Sequence, residues 1–159
     1  MKTYYLIIIL LALNTAKAKV PSTFSHTDSS VASPEAIWAV WTDVSSWHRW
    51  DSGLRSASLK DGQFRLGAKG HLRPDKGPRA RFRISALQEG KSYTLETAIP
   101  FGKLIVERSL EVKSGKTFFT HTVRFTGLLK GFFSKKLGAR YEKMLPGVMH
   151  TIKDIAEQS

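Results

Sequence analysis

Residues 33–51 read SPEAIWAVWTDVSSWHRWD and hold all four tryptophans of a 159-residue chain. Ser33 is placed to cap a helix that begins with Pro34, a position where the missing N–H costs nothing. Ile37, Trp38, Val40 and Trp41 then recur at helical spacing and give that short helix one apolar face. A second helical turn fits residues 44–50, before Asp51-Ser52-Gly53 breaks it. Trp38 and Trp41 sit three apart, and Trp47 and Trp50 repeat the spacing. Each pair therefore shares a side, which predicts core or cavity wall, because indoles dominate burial wherever they are enclosed. A nucleic-acid stacking platform would need the rings exposed beside basic residues, and only His48 and Arg49 adjoin them. No nucleic-acid partner is expected.

Before this stretch, residues 24–31 alternate weakly and suit an edge strand. After it, from Leu54 to Thr126, the apolar period becomes two. Turn signals at Asp61-Gly62, Asp75-Lys76-Gly77-Pro78, Glu89-Gly90, Pro100-Phe101-Gly102 and Ser114-Gly115 divide this region into six strands. The spacing predicts them near residues 54–60, 64–72, 80–87, 92–99, 104–112 and 117–125. An antiparallel meander with one polar face must curl around something. Leu137, Tyr141, Met144, Leu145, Val148, Met149, Ile152 and Ile155 recur every three or four positions and predict the long helix that fills its concave side. Pro146 inside that stripe predicts a kink near residues 142–145, with Gly138 and Gly147 loosening it further.

The length suits one domain with a core of its own. Residues 1–18 read as a signal peptide outside that domain, with Lys2, an apolar run from Tyr4 to Leu13 and Ala16-Lys17-Ala18 as the cleavage site. A retained membrane anchor is the alternative, but a spanning helix needs about 20 apolar residues. Cleavage near Ala18 leaves residues 19–159 and implies an exported, periplasmic or secreted protein. With no cysteine in the chain, disulfides and thiol chemistry are excluded. Without the leader, 23 basic side chains face 13 acidic ones, a net charge of +10. Such a surface is drawn to polyanions, which outside the cytoplasm means anionic headgroups and wall polymers; the plainer reading is solubility.

The order of strand, two short helices, six-stranded meander and terminal helix is carried by SPEAIWAVWTDVSSWHRWD (33–51), GKLIVERSLEV (102–112), THTVRFTG (120–127) and the amphipathic C-terminus. This pattern resembles the polyketide cyclase/dehydrase branch of the SRPBCC, or START-like, superfamily over residues 22–157. The resemblance implies an α+β helix-grip fold, a seven-stranded curved antiparallel sheet around a long C-terminal helix. It also implies a cavity that in relatives holds lipids, sterols or polyketides. It does not imply catalysis.

The expected cavity residues are Trp38, Trp41, Phe82, Ile84, Leu95, Val106, Arg108, Phe119, His121, Val123, Tyr141, Leu145, Met149 and Ile152. His121 shares a strand face with Phe119, Val123 and Phe125, and Arg108 lies in register with Leu104, Val106, Leu110 and Val112. A buried arginine is costly alone, so Arg108 should meet Glu96, Glu107 or a ligand carboxylate. Arg108, His121 and Tyr141 either orient a ligand's polar head or are satisfied core groups. Arg79, Arg81 and Arg83 alternate with Ala80, Phe82 and Ile84. With Lys69, Arg73 and Lys76 they form a basic zone opposed by Asp75, which is either an anionic-surface patch or a solvated face.

Leu128, Leu129, Phe132 and Phe133 are interleaved with Lys130, Lys135 and Lys136. That composition suits a lip docking on an anionic membrane, or simply the packing of the helix start. No catalytic residue, metal or cofactor is expected: there is no H-E-x-x-H, no Gly-rich phosphate loop after a strand, and the histidines are scattered. The expected function is an exported, monomeric carrier or binding protein for a hydrophobic, lipid-like molecule. The rival is a cyclase or dehydratase acting on a polyketide-like substrate, with His121 and Tyr141 as its best acid–base pair.

Overall fold

A computed structural model describes residues 21–159, so the signal-peptide reading of residues 1–18 lies outside the described residues. The chain runs β1 (Thr23–Ser30), α1 (Pro34–Thr42), a 3-10 helix (Val44–Arg49), β2 (Leu54–Leu59), β3 (Lys69–Pro74), β4 (Ala80–Gln88), β5 (Ser92–Ile99), β6 (Gly102–Lys113), β7 (Lys116–Gly127) and α2 (Lys130–Glu157). All seven strands form one antiparallel sheet in the order β1-β7-β6-β5-β4-β3-β2. The first strand thus pairs with the last. This leaves residues 31–53 to cross one end of the sheet as the two short helices.

Local chemistry accounts for the ends of these elements. The Ala36 N–H donates to the Ser33 hydroxyl at 3.2 Å with Pro34 at the first helical position, as the sequence predicts. At the β6–β7 hairpin Ser114 and Gly115 both have positive φ, 50° and 73°, the pairing that a two-residue turn matched to sheet twist requires. The strands at 54–59, 80–88, 92–99, 102–113 and 116–127 fall within two residues of their predicted positions.

The strand expected over residues 64–72 begins instead at Lys69. Residues 65–68 form a turn closed by the Ala68 N–H, which donates to the Arg65 carbonyl at 3.0 Å, with Gly67 at φ 81° and its N–H donating across to the Ile84 carbonyl of β4 at 2.9 Å. Phe64 is apolar there because its ring packs on Tyr93 at 4.9 Å, as a loop residue reaching the core. The helix α2 is continuous through Pro146, so the expected kink does not divide it. Pro146 and Glu142 are both exposed, so the Glu142 carbonyl that loses its helical donor is open to solvent. Nor does Gly138 merely loosen the helix: a Cβ there would overlap the Phe24 ring, so this glycine sets how closely α2 approaches β1.

The core lies between the concave sheet face, α1 with the 3-10 helix, and the C-terminal half of α2. Trp41, Trp47, Ile84, Phe119, Met149 and Ile152 are buried completely or nearly so. Among the described residues no helix is long and apolar enough to cross a membrane.

Gly70 tests the close packing of this core. A Cβ on Gly70 would collide with the Phe82 ring and the Ser58 carbonyl oxygen, whereas one on Gly147 meets nothing within 4 Å. Gly70→Ala should therefore cost about 1–3 kcal/mol of overpacking strain. Gly147→Ala should add about 0.5–1 kcal/mol by restricting the unfolded chain in a helical position. Urea denaturation of the two variants checks both signs.

Candidate functional site

Strand pairing places Tyr93 on β5, Arg108 on β6 and His121 on β7 side by side in one row. All three point to the concave face and are buried, Arg108 and His121 to 4% exposure. The Arg108 guanidinium lies over the rings of Trp50 (4.7 Å), Trp47 (5.1 Å) and Tyr93 (5.3 Å). One of its terminal nitrogens donates to the Tyr93 hydroxyl. That hydroxyl donates in turn to the Trp41 carbonyl at 3.4 Å, which also accepts Trp47 Nε1 at 2.9 Å. The Trp41 carbonyl lies in the last turn of α1, where no helical N–H is available, and these side chains satisfy it.

Neither acid expected beside Arg108 is there. Glu96 pairs with Lys103 at 2.6 Å and Glu107 with Arg124 at 2.7 Å, both on the opposite face of the sheet. No ion pair among the described residues includes Arg108. The acid whose field reaches it is Asp51, the residue that ends the helical stretch. Burial pushes the Asp51 carboxyl above the usual carboxylate range, although the Gly53 N–H, Arg108 and Arg140 pull the other way. Three buried polar atoms here have no partner: Arg108 Nε, His121 Nδ1 and Thr97 Oγ1.

These groups line a cavity of about 80 Å³ between the sheet and the middle of α2. From the sequence-derived set, Leu95, Val106, Arg108, His121, Val123, Tyr141 and Leu145 line it. The structure places Trp38, Trp41, Phe82, Ile84, Phe119, Met149 and Ile152 instead in the solid core beyond it. The reason is aromatic packing: Trp47–Phe82 and Trp41–Phe119 contacts, at 5.6 and 6.4 Å between centroids, fill that end of the sheet. Trp47, read from the sequence as core or cavity wall, also lines it, while sequence reasoning missed Asp51, Leu54, Leu72, Thr97, Leu104 and Met144 as cavity residues. Thr97 was findable, because it alternates with Tyr93 and Leu95 on one strand face. Asp51 read only as a helix breaker.

A cavity of about 80 Å³ has room for about two waters or one small headgroup. Ordinary small-molecule sites are about 300–1,000 Å³. A larger ligand must therefore displace the half-buried rim, which includes Leu54, Leu72, Leu104, Tyr141 and Met144. As an acid–base pair, His121 and Tyr141 are badly poised. Burial, and secondarily Arg108, hold His121 well below its ordinary 6.5, while burial and then Asp51 push Tyr141 up to about 12.

Two surface features lie outside the cavity. Leu128 and Phe132 are 87% and 57% exposed, and Leu129 is exposed as well. Phe133 is not part of this lip, since it turns inward and stacks on Phe125 at 6.3 Å. A neighbour the sequence reading did not include, Phe101, is 74% exposed on the β5–β6 turn, and its carbonyl accepts the Leu128 N–H at 3.1 Å. Lys135 and Lys136 are exposed beside them, with Lys136 Nζ 5.7 Å from the Phe132 ring centre. On the outer sheet face Lys60, Lys69, Arg81, Arg83 and Lys103 surround a hollow of about 350 Å³ that also contains Glu96. Asp75, the acid assigned to that zone, pairs with Arg55 at 3.4 Å instead.

Residues 22–153 match the family described as polyketide cyclase / dehydrase and lipid transport, and the chain belongs to it. Similar solved structures include a START superfamily protein from Mycobacterium smegmatis (TM-score 0.66, 16% identity, covering 86% of this chain and 97% of that one). The di-domain ARO/CYC StfQ from the steffimycin biosynthetic pathway is also similar (TM-score 0.70, 8% identity, 86% of this chain and 51% of that one). So is the Aha1 dimer from Colwellia psychrerythraea (TM-score 0.63, 18% identity, 85% and 96%). A search of curated proteins finds no significant match. At these identities the structural likenesses show the helix-grip fold. Family and fold together define a hydrophobic ligand-binding or polyketide cyclase-like domain.

The buried histidine makes stability depend on pH. His121 binds its proton less readily folded than unfolded, so its contribution is fully present above 6.5 and is lost as pH falls below that value. Asp51 works in the opposite sense nearer its ordinary 3.8. The free energy of unfolding should drop from about pH 7 to about 5.5, by at most about 1.4 kcal/mol per pH unit for one proton. His121→Asn should flatten that slope, as urea titrations across the range would reveal.

Proposed function

We propose that this protein is an exported carrier for a hydrophobic, lipid-like small molecule, held between the sheet and α2 and exchanged at an anionic membrane surface. The observation that carries the reading is the join between cavity and lip. Phe125 packs on Tyr141, a rim residue, at 5.9 Å and on the inward-turned Phe133 at 6.3 Å, and Phe133 meets the exposed Phe132 at 5.4 Å, so a chain of rings links the lip to the cavity rim. Leu128, Phe101 and Phe132 would enter the interfacial layer while Lys130, Lys135 and Lys136 meet phosphate. Ligand entry would then need only the rim and the start of α2 to move outward. The signal-peptide reading of the first 18 residues supports a site of action outside the cytoplasm, and a single copy supplies every group the site uses. The cyclase-type alternative is disfavoured by the poor proton-transfer values of His121 and Tyr141.

Native mass spectrometry of protein purified without detergent should show one copy carrying an apolar molecule; a clean apo mass after equilibration with lipid vesicles would overturn the carrier reading. Co-sedimentation with phosphatidylglycerol vesicles should exceed that with phosphatidylcholine and weaken with salt. Phe132→Ser should reduce it about tenfold, the loss expected from about 1.4 kcal/mol of apolar insertion. Unchanged sedimentation in Phe132→Ser and Phe101→Ser would remove the lip from the proposal.

A further inference from the structure

Arg108 is a permanently charged group, 4% exposed, that forms no ion pair with a carboxylate among the described residues. Its terminal nitrogen satisfies Tyr93, and Trp47, Trp50 and Tyr93 cover its faces, but aromatic faces do not neutralise a full charge. The one acid near it, Asp51, uses Oδ1 to accept the Gly53 N–H at 2.9 Å and forms no ion pair with it. Nε points to no acceptor. Within the same cavity lie two more unpartnered polar atoms, Thr97 Oγ1 and His121 Nδ1, on side chains 4% exposed. Buried polar atoms are ordinarily paired, and three orphans around one small hollow outline the partner that would pair them.

We propose that the cavity recognises the carboxylate of a long-chain carboxylic acid, with Arg108 and Thr97 donating to its oxygens and His121 contacting the head through Nδ1. This rests on the carrier reading for the tail and adds the chemistry of the head. A single fixed cation and one hydroxyl suit a monoanion. A phosphate dianion would bring more charge and more acceptors than these donors match, and an alcohol or sterol hydroxyl would leave the guanidinium uncompensated. The volume agrees, because about 80 Å³ accepts a carboxyl group and its first methylenes while Leu104, Met144 and Tyr141 stand where the chain would leave.

The test compares dodecanoate, methyl dodecanoate and dodecanol below their aggregation limits, by tryptophan fluorescence and by calorimetry for stoichiometry. Trp47 and Trp50 flank the guanidinium and supply the optical signal. Dodecanoate should bind at one per chain and at least tenfold more tightly than the ester or the alcohol. Arg108→Met should abolish that preference while keeping affinity for the alcohol. Thr97→Val, nearly the same shape, should lower dodecanoate affinity several-fold and leave dodecanol unchanged. Equal affinity of acid, ester and alcohol for the wild-type chain would overturn the carboxylate inference and leave the carrier reading standing. No binding by any of the three would overturn both. Should Arg108→Met fail to fold, the wild-type ligand series and Thr97→Val decide the matter alone.

Discussion

Everything in this molecule answers one constraint: an antiparallel sheet with a single apolar face must have that face covered. Two coverings share the work. The C-terminal half of α2 and the two short helices seal one end with tryptophan, phenylalanine, methionine and isoleucine. The middle of α2, at Tyr141, Met144 and Leu145, covers the other end less completely, and the remainder is the cavity. Site and core are therefore two regions of one interface, and the boundary between them runs through Trp47, which belongs to both.

The position of Arg108 follows from that boundary. Strand alternation commits it to the concave face, and the fold cannot turn it outward without turning Val106 and Leu110 as well. Instead of an ion pair, the structure surrounds the guanidinium with three aromatic faces and one phenol. The hydroxyl and indole beneath it are tethered to the C-terminal end of α1 at the buried Trp41 carbonyl. The stretch that defines the fold thus also builds the polar corner of the cavity. A charge held this way is preorganised for an anion, because no internal salt bridge has to break first.

Much of the architecture was legible because its signals are local. Ser33 and Pro34 start a helix by their own stereochemistry, Ser114-Gly115 closes a hairpin by backbone preference, and the stripe from Leu137 to Ile155 is helical by spacing alone. What misled were residues whose apolar character serves a distant contact. Phe64 imitates a strand residue but reaches Tyr93 and Trp38 from a loop. Phe133 reads as one of a lysine-flanked quartet, yet only Leu128, Leu129 and Phe132 stay exposed, and the fourth exposed apolar side chain comes from Phe101 on another turn. Such partnerships depend on which strands become neighbours, and no window of sequence contains both members.

The sequence by itself determined the order of elements, the faces of the strands and the fact that Arg108 and His121 point inward, because period and propensity act over a few residues. Only the tertiary structure decided that tryptophans fill one end of the grip and leave a small polar hollow at the other. It also decided that Asp51 rather than Glu96 or Glu107 is the nearby acid. Those outcomes turn on how large rings from separate elements divide a fixed volume, a competition that exists only once the sheet has curled around its helix.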